Sequence, residues 1–146
     1  MKKGFILILS LTFILLLFGC TKNENQIENN SNRDYIEEEY NLDVKGGEIK
    51  GTIMIPKSGN KSTVALIIAG SGPTDRNGNN PSAGNNNSLK MIGEALAKDG
   101  IYSVRYDKRG IGESASLVKR EEDLIFEDYI DDVVSWIEKL KQDSRF

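Results

Sequence analysis

From residue 35 onward the spacing of apolar side chains changes character several times, and each change marks an element. Residues 35–45 (YIEEEYNLDVK) alternate in part between apolar and charged and read as a half-exposed strand. Gly46-Gly47 supplies a turn, and residues 48–55 (EIKGTIMI) alternate again until Pro56 stops them. Two alternating runs around Gly-Gly predict an antiparallel hairpin. Residues 64–69 (VALIIA) are apolar at every position, the mark of a strand covered on both faces in a parallel sheet. Residues 70–87 have no period and abound in Gly and Asn, so they form a long loop, of a length that in a compact domain is functional or disordered. Ser88 is the expected N-cap of a helix over 89–98, with Leu89, Ile92 and Leu96 on one face and Gly100 as its stop. Residues 101–106 are a second buried strand, which makes strand, helix and strand a βαβ unit with a right-handed crossover.

A charged connection follows, and then residues 126–141 carry Phe126, Tyr129, Ile130, Val133, Val134, Ile137 and Leu140 at helical spacing. They predict one apolar stripe. Asp128, Asp131 and Asp132 near the start and Lys139 and Lys141 near the end match the helix dipole. Trp136 lies beside the stripe and is assigned to packing. Residues 142–146 read as a linker toward another strand, and no segment repeats another.

The first 19 residues have a different pattern. Lys2 and Lys3 precede the apolar run 5–18, and Gly19-Cys20 ends it, the order of a secretory signal peptide. The run falls short of the roughly 20 residues that a spanning helix needs. Cys20 is the only cysteine, so an intrachain disulfide is excluded. Leu17-Phe-Gly-Cys20 resembles the bacterial lipobox, whose cysteine is acylated and becomes the new N-terminus. Lipid at Cys20 would hold the chain at a membrane, each buried CH₂ contributing ~0.8 kcal/mol. The expected organisation is a signal peptide over 1–19, a polar tether over 20–34 too poor in apolar residues to fold, and a domain over 35–146. An exported, lipid-anchored location follows.

The formal charge is −3, and loss of Lys2 and Lys3 makes it −5. That balance argues against nucleic acid and against an anionic lipid surface as partners. No cluster with metal-ligand spacing is present, and the chain has no histidine. Neither a metal nor another cofactor is expected.

Two stretches carry candidate chemistry. Ala69-Gly-Ser-Gly-Pro73, extended by Asp75-Arg76, follows the first buried strand, and Asp107-Lys-Arg-Gly-Ile-Gly-Glu-Ser114 follows the second. With the antiparallel strands before them and the helix between, they resemble the N-terminal third of an α/β-hydrolase. The likeness is to the bacterial esterase and serine-aminopeptidase-like branch, including its exported lipoproteins, and covers residues 40–146. It implies an α/β fold that begins with antiparallel strands and continues as a parallel βαβ unit, incomplete without the nucleophile elbow and later strands. It also implies that the loop after the first buried strand supplies an oxyanion-hole amide, Ser71 N–H with Gly72 as the alternative. Asp107, Arg109, Gly110, Gly112 and Ser114 take the structural turn, with glycines for tight geometry and hydrogen bonds from Asp107 and Arg109.

Gly112-Glu-Ser-Ala-Ser116 is a poor nucleophile elbow, for it lacks the last glycine of G-x-S-x-G and stands after no suitable strand and turn. A Ser-His-acid triad needs a base between serine and carboxylate, and this sequence holds none. No catalytic residue is assigned, and the sequence reads as an N-terminal piece of a serine hydrolase, inactive as given, whose completed form would take a small ester, amide or thioester. In the family's sheet order the 64–69 strand is central, so without its next neighbour it would expose an apolar edge, and the 126–141 helix would lack part of its packing surface. A nucleotide-binding reading of Gly110-Ile-Gly-Glu-Ser-Ala115 fails, because Asp107-Lys-Arg109 separates the first glycine from the strand. The remaining rival is a non-catalytic surface module on a hydrolase-like scaffold.

Overall fold

The computed structural model describes residues 33–59 and 63–146. The expected signal peptide, Cys20 and nearly all of the expected tether lie outside the described residues.

The described residues open with the expected antiparallel hairpin, interrupted once. Strand β1 (Tyr35–Glu39) pairs antiparallel with β4 (Gly51–Pro56), Tyr35 opposite Pro56 and Glu39 opposite Thr52. Between them β2 (Leu42–Val44) and β3 (Gly47–Ile49) form a separate two-stranded ribbon. Both pairs keep the register of the single predicted hairpin, which is broken into two ladders. The break falls at Tyr40-Asn41, where Tyr40 N–H donates to Gly51 O (2.9 Å) and Gly51 N–H to Asn41 Oδ1 (3.2 Å). Gly46 turns the ribbon at φ +98°, a conformation that only glycine adopts without cost.

Strand β5 (Val64–Ile67), helix α1 (Ser88–Lys98) and strand β6 (Tyr102–Tyr106) form the expected βαβ unit, with β5 and β6 parallel from Val64 opposite Tyr102 to Ile67 opposite Arg105. Strand β6 also pairs antiparallel with β4, so the main sheet runs β1-β4-β6-β5. Strand β5 thus forms an edge. Its residues are half-buried rather than covered on both faces, and Ile68 beyond it is 46% exposed.

Helix α1 starts at Ser88, so Ser88 is its first residue and not its cap. Asn87, in the left-handed region at φ 52°, takes the cap position, and the carbonyl of Asn77 accepts the N–H groups of Leu89 and Lys90. The helix ends as predicted at Gly100 (φ +72°), with Ile101 N–H closing on Leu96 O. It meets the sheet through its small residues, Gly93 and Ala97, while Ile92 faces outward. A Cβ at Gly93 would stand 2.7 Å from the Arg105 guanidinium.

Alternation along β4 divides the interior between the two faces. Met54 joins Tyr35 and Ala97 on one side; Ile53 joins Val104, Ile49, Tyr106, Trp136 and Leu140 on the other. Trp136 belongs to helix α2 (Phe126–Gln142) and packs against Tyr40 and Tyr106, with ring centroids 6.0 and 5.2 Å away. Gly51 makes that approach possible, since a Cβ there would lie 3.0 Å from the indole and 2.4 Å from Tyr40 O.

Helix α2 buries only part of the stripe predicted for it, Leu140 fully and Tyr129 and Val133 by half. Its buried residues are Asp132, Trp136 and Leu140, four apart, whereas Phe126 (72%), Ile130 (48%), Val134 (48%) and Ile137 (41%) are exposed. Asp128 closes its N-terminus by accepting the Ile125 N–H at 3.1 Å.

Candidate functional site

The two stretches singled out from the sequence come together at the end of the parallel pair. Both β5 and β6 deliver their chains to the same edge, and the crevice beyond the carboxyl ends of parallel strands is where open α/β sheets bind ligands.

The turn after β6 is built around a carboxylate. Asp107 is buried and accepts the Arg76 N–H on Oδ1 (2.7 Å) and the Glu113 N–H on Oδ2 (3.0 Å), and the Arg76 guanidinium lies 3.4 Å from Oδ2. Arg76 also reaches Glu113 at 2.5 Å, so one arginine ties the long loop to the turn. Gly112 sits at φ +52° with its backbone against this carboxylate, where a Cβ would stand 2.5 Å from Asp107 Oδ2. Gly110 has φ +78°. Each glycine is required by its backbone, and Asp107 by the amides it satisfies.

Arg109 leaves this turn for helix α2 and holds Asp132 through two bonds of 2.7 Å. This is the planar fork-to-carboxylate geometry that makes arginine pairs strong and directional. The bond to Asp132 raises the Arg109 pKa, against the opposing effect of burial. Ser114 lies fully buried in the two-turn 3₁₀ helix Gly112–Leu117, its Oγ accepting the Lys50 N–H at 2.9 Å. A hydroxyl so placed links the turn to the start of β4 and has no path to a substrate.

The loop after β5 faces the turn. Gly72 has φ +82°, and its carbonyl accepts the Thr74 N–H at 2.9 Å. Among the described residues no backbone acceptor takes the N–H of Ser71 or Gly72. Farther along, Asp75 orders the loop by accepting the N–H groups of Asn77 and Asn79, both at 2.8 Å. The loop expected to be functional or disordered is thus internally bonded.

Lys108 fills the space between loop and turn. Its ammonium donates to Gly70 O and, at 3.3 Å, to Gly72 O. It also stands 5.9 Å from the centre of the Tyr129 ring. Burial pushes its pKa down.

These elements line a groove of about 1070 Å³. The loop and Lys108 line it together with apolar side chains, among them Ile68, Pro73, Val118, Leu124, Phe126 and Ile130. A mostly apolar cleft with a few convergent polar groups is the usual form of a small-molecule site. Ser71 and Gly72, which carry the candidate amides, line this groove. Asp107, Gly112 and Ser114 lie behind it as its frame, and Gly110 lines its side.

Three participants were not read from the sequence. Arg76 appeared only as part of the loop motif, Lys108 as the spacer between Asp107 and Arg109, and Asp132 as a charge near a helix start. Only the fold brings them into contact. Among the described residues no group of His, Cys, Asp and Glu is placed to hold a metal, and no helix is long and apolar enough to cross a membrane.

No family model matches this chain, and no curated protein matches it. Solved structures do. A cold-adapted esterase from an Arctic intertidal metagenomic library, in a PEG-bound complex, superposes with a TM-score of 0.51 at 19% identity over 74% of this chain and 44% of its own. An alpha-beta serine hydrolase homologue from Coxiella burnetii gives a TM-score of 0.50 at 24% identity over 73% of this chain and 48% of its own. The chain spans less than half the length of either structure. The shared property is the fold: antiparallel first strands and a parallel βαβ unit, a partial α/β-hydrolase sheet.

Proposed function

We propose that this chain is the N-terminal part of an exported, lipid-anchored serine hydrolase of the esterase-like branch, acting on carboxylic ester, amide or thioester bonds. One observation carries the reading: the Gly70–Pro73 loop, whose Ser71 and Gly72 N–H groups have no backbone acceptor among the described residues, lines an apolar groove at the carboxyl end of the parallel strands. Amides held in this way stabilise the oxygen that becomes negative when an acyl group is attacked. The groove walls suit the apolar part of an acyl substrate. The fold shared with an esterase and a serine hydrolase homologue adds support.

The residues that would attack and transfer protons are not among these 146, since the sequence has no histidine and its buried Ser114 serves the turn. Alone, the chain should therefore hydrolyse no ester and resist labelling by a fluorophosphonate. Reading the coding DNA past codon 146 tests the reading directly. A strand, G-x-S-x-G and later Asp and His are expected there. A stop followed by unrelated sequence sinks it and favours the second reading, a non-catalytic surface module, which the lack of histidine supports. Anchoring is tested separately by growing cells with an alkyne fatty acid. Label should enter the wild-type chain and be absent from Cys20→Ala.

A further inference from the structure

We propose that Lys108 is a positioning residue: by holding the carbonyl of Gly70 it aims the Ser71 N–H into the groove and makes Ser71, rather than Gly72, the oxyanion donor. This rests on the oxyanion reading of the loop. The argument begins with peptide geometry. Gly70 C=O and Ser71 N–H belong to one planar trans unit, so they point in opposite directions. A cation fixed on the oxygen fixes the hydrogen on the far side. The second anchor, Gly72 O, belongs to the unit shared with Pro73, which has no N–H to aim. It secures the loop's return without presenting a donor. The Gly72 amide belongs to the Ser71 carbonyl, which Lys108 does not hold.

Charge makes the same point. Lys108 is only 9% exposed, and among the described residues no carboxylate forms an ion pair with it. Lysine is rarely buried unless paired, and a buried ammonium is costly unless its donors are satisfied. Here loop carbonyls satisfy it, and the Tyr129 ring faces it at cation–π distance. A positive charge bound to one end of a peptide unit polarises it and strengthens the donor at the other end. It also leaves an uncompensated positive charge behind the point where an oxyanion would form. Arg109, its neighbour, is committed to Asp132 and contributes no such field.

The test uses ¹⁵N- and ¹³C-labelled full chain, with acetate as the anionic oxygen probe, in wild type, Lys108→Met and Lys108→Arg. In Lys108→Met the Ser71 amide resonance should move and its apparent affinity for acetate should fall roughly tenfold. The Trp136 indole signal should stay in place, and Lys108→Arg should restore part of the response. An unmoved Ser71 resonance in Lys108→Met overturns the proposal, as does an acetate response that follows Gly72 instead. Should Lys108→Met fail to fold, the wild type answers alone. A through-hydrogen-bond coupling between Lys108 Nζ and the Gly70 carbonyl carbon supports the anchor; a freely exchanging ammonium without it overturns the anchor. A Ser71 amide that shifts in Lys108→Met but ignores acetate in the wild type upholds the anchor and defeats the oxyanion reading.

Discussion

The two faces of helix α2 meet opposite fates, and the one richer in apolar residues is the one left outside. One face carries Asp132, Trp136 and Leu140 into the sheet, and the other leaves Phe126, Ile130, Val134 and Ile137 exposed. Val134 and Trp136 are two residues apart, about 200° around the helix, so burying one turns the other outward. Hydrophobicity decides which residues gain from burial; it does not decide which find a partner. The winning face combines the largest apolar side chain of the chain with a bidentate ion pair that fixes rotation, and both meet preformed receptors. Gly51 leaves room for the indole, and Arg109 projects from a turn already locked by Asp107.

The face that turns the helix inward is then the one whose loss is felt. Trp136→Ala empties the centre of the larger cluster and should cost about 4 kcal/mol, as buried aromatic truncations do. Urea unfolding followed by far-UV circular dichroism measures it, and a loss below about 1 kcal/mol would mean that the indole is not the centre of the core. Asp132→Ala strands the Arg109 guanidinium, which is partly solvated. A cost of about 2–3 kcal/mol is expected from the lost charged bonds and the unpaired cation. Addition of Arg109→Met to Asp132→Ala should recover part of it, because the orphaned charge is then gone. No recovery would show that Asp132 matters through the helix start and not through this pair.

A third effect is confined to the buried side and appears only in alkali. Burial, and then the negative charge of Asp132, pushes the Tyr106 phenol from its ordinary value near 10 up to about 12. Between those values the unfolded chain has released the proton and the folded chain keeps it. Stability complete below about pH 10 is therefore lost as pH rises toward 12. Tyr35 and Tyr40 are raised similarly and steepen the same decline. In Tyr106→Phe the fall from pH 10 to 12 should be shallower, as read from urea midpoints at each pH. An unchanged slope would place the Tyr106 hydroxyl in water.

The sequence made legible what is local. The turn after β6 could be read because its aspartate, glycines and serine lie within eight consecutive positions, and each answers to a backbone need there. The βαβ unit could be read from runs of apolar residues and from Gly100. What depends on distant partners could not. Arg109 and Asp132 are 23 residues apart with no periodic signal joining them, and a lysine between two charged residues gives no hint that it will be buried. The hairpin around Gly46-Gly47 was legible, since β1–β4 and β2–β3 keep one register across it, and only the break at Tyr40-Asn41 was not. Strand β5 shows the converse. Its composition asks for cover on both faces, yet its residues are half-buried, and it takes the edge position expected of it without a further neighbour.

The smallest expected effect discriminates most sharply between the faces. Val134→Thr keeps size and β-branching, hence helix propensity, and exchanges one methyl for a hydroxyl. On a face open to water the hydroxyl is solvated and stability should change by less than about 0.5 kcal/mol. If further protein covers Val134, the same hydroxyl loses its water and the cost should rise to about 1–3 kcal/mol. Measurement at two protein concentrations separates the sources of cover. A cost that grows with concentration assigns it to a second copy of the chain, and a cost independent of concentration assigns it to the chain itself. Val133→Thr, one position toward the sheet and half-buried, serves as the internal standard. It should exceed Val134→Thr, and equal costs at the two positions would erase the distinction between the faces of α2.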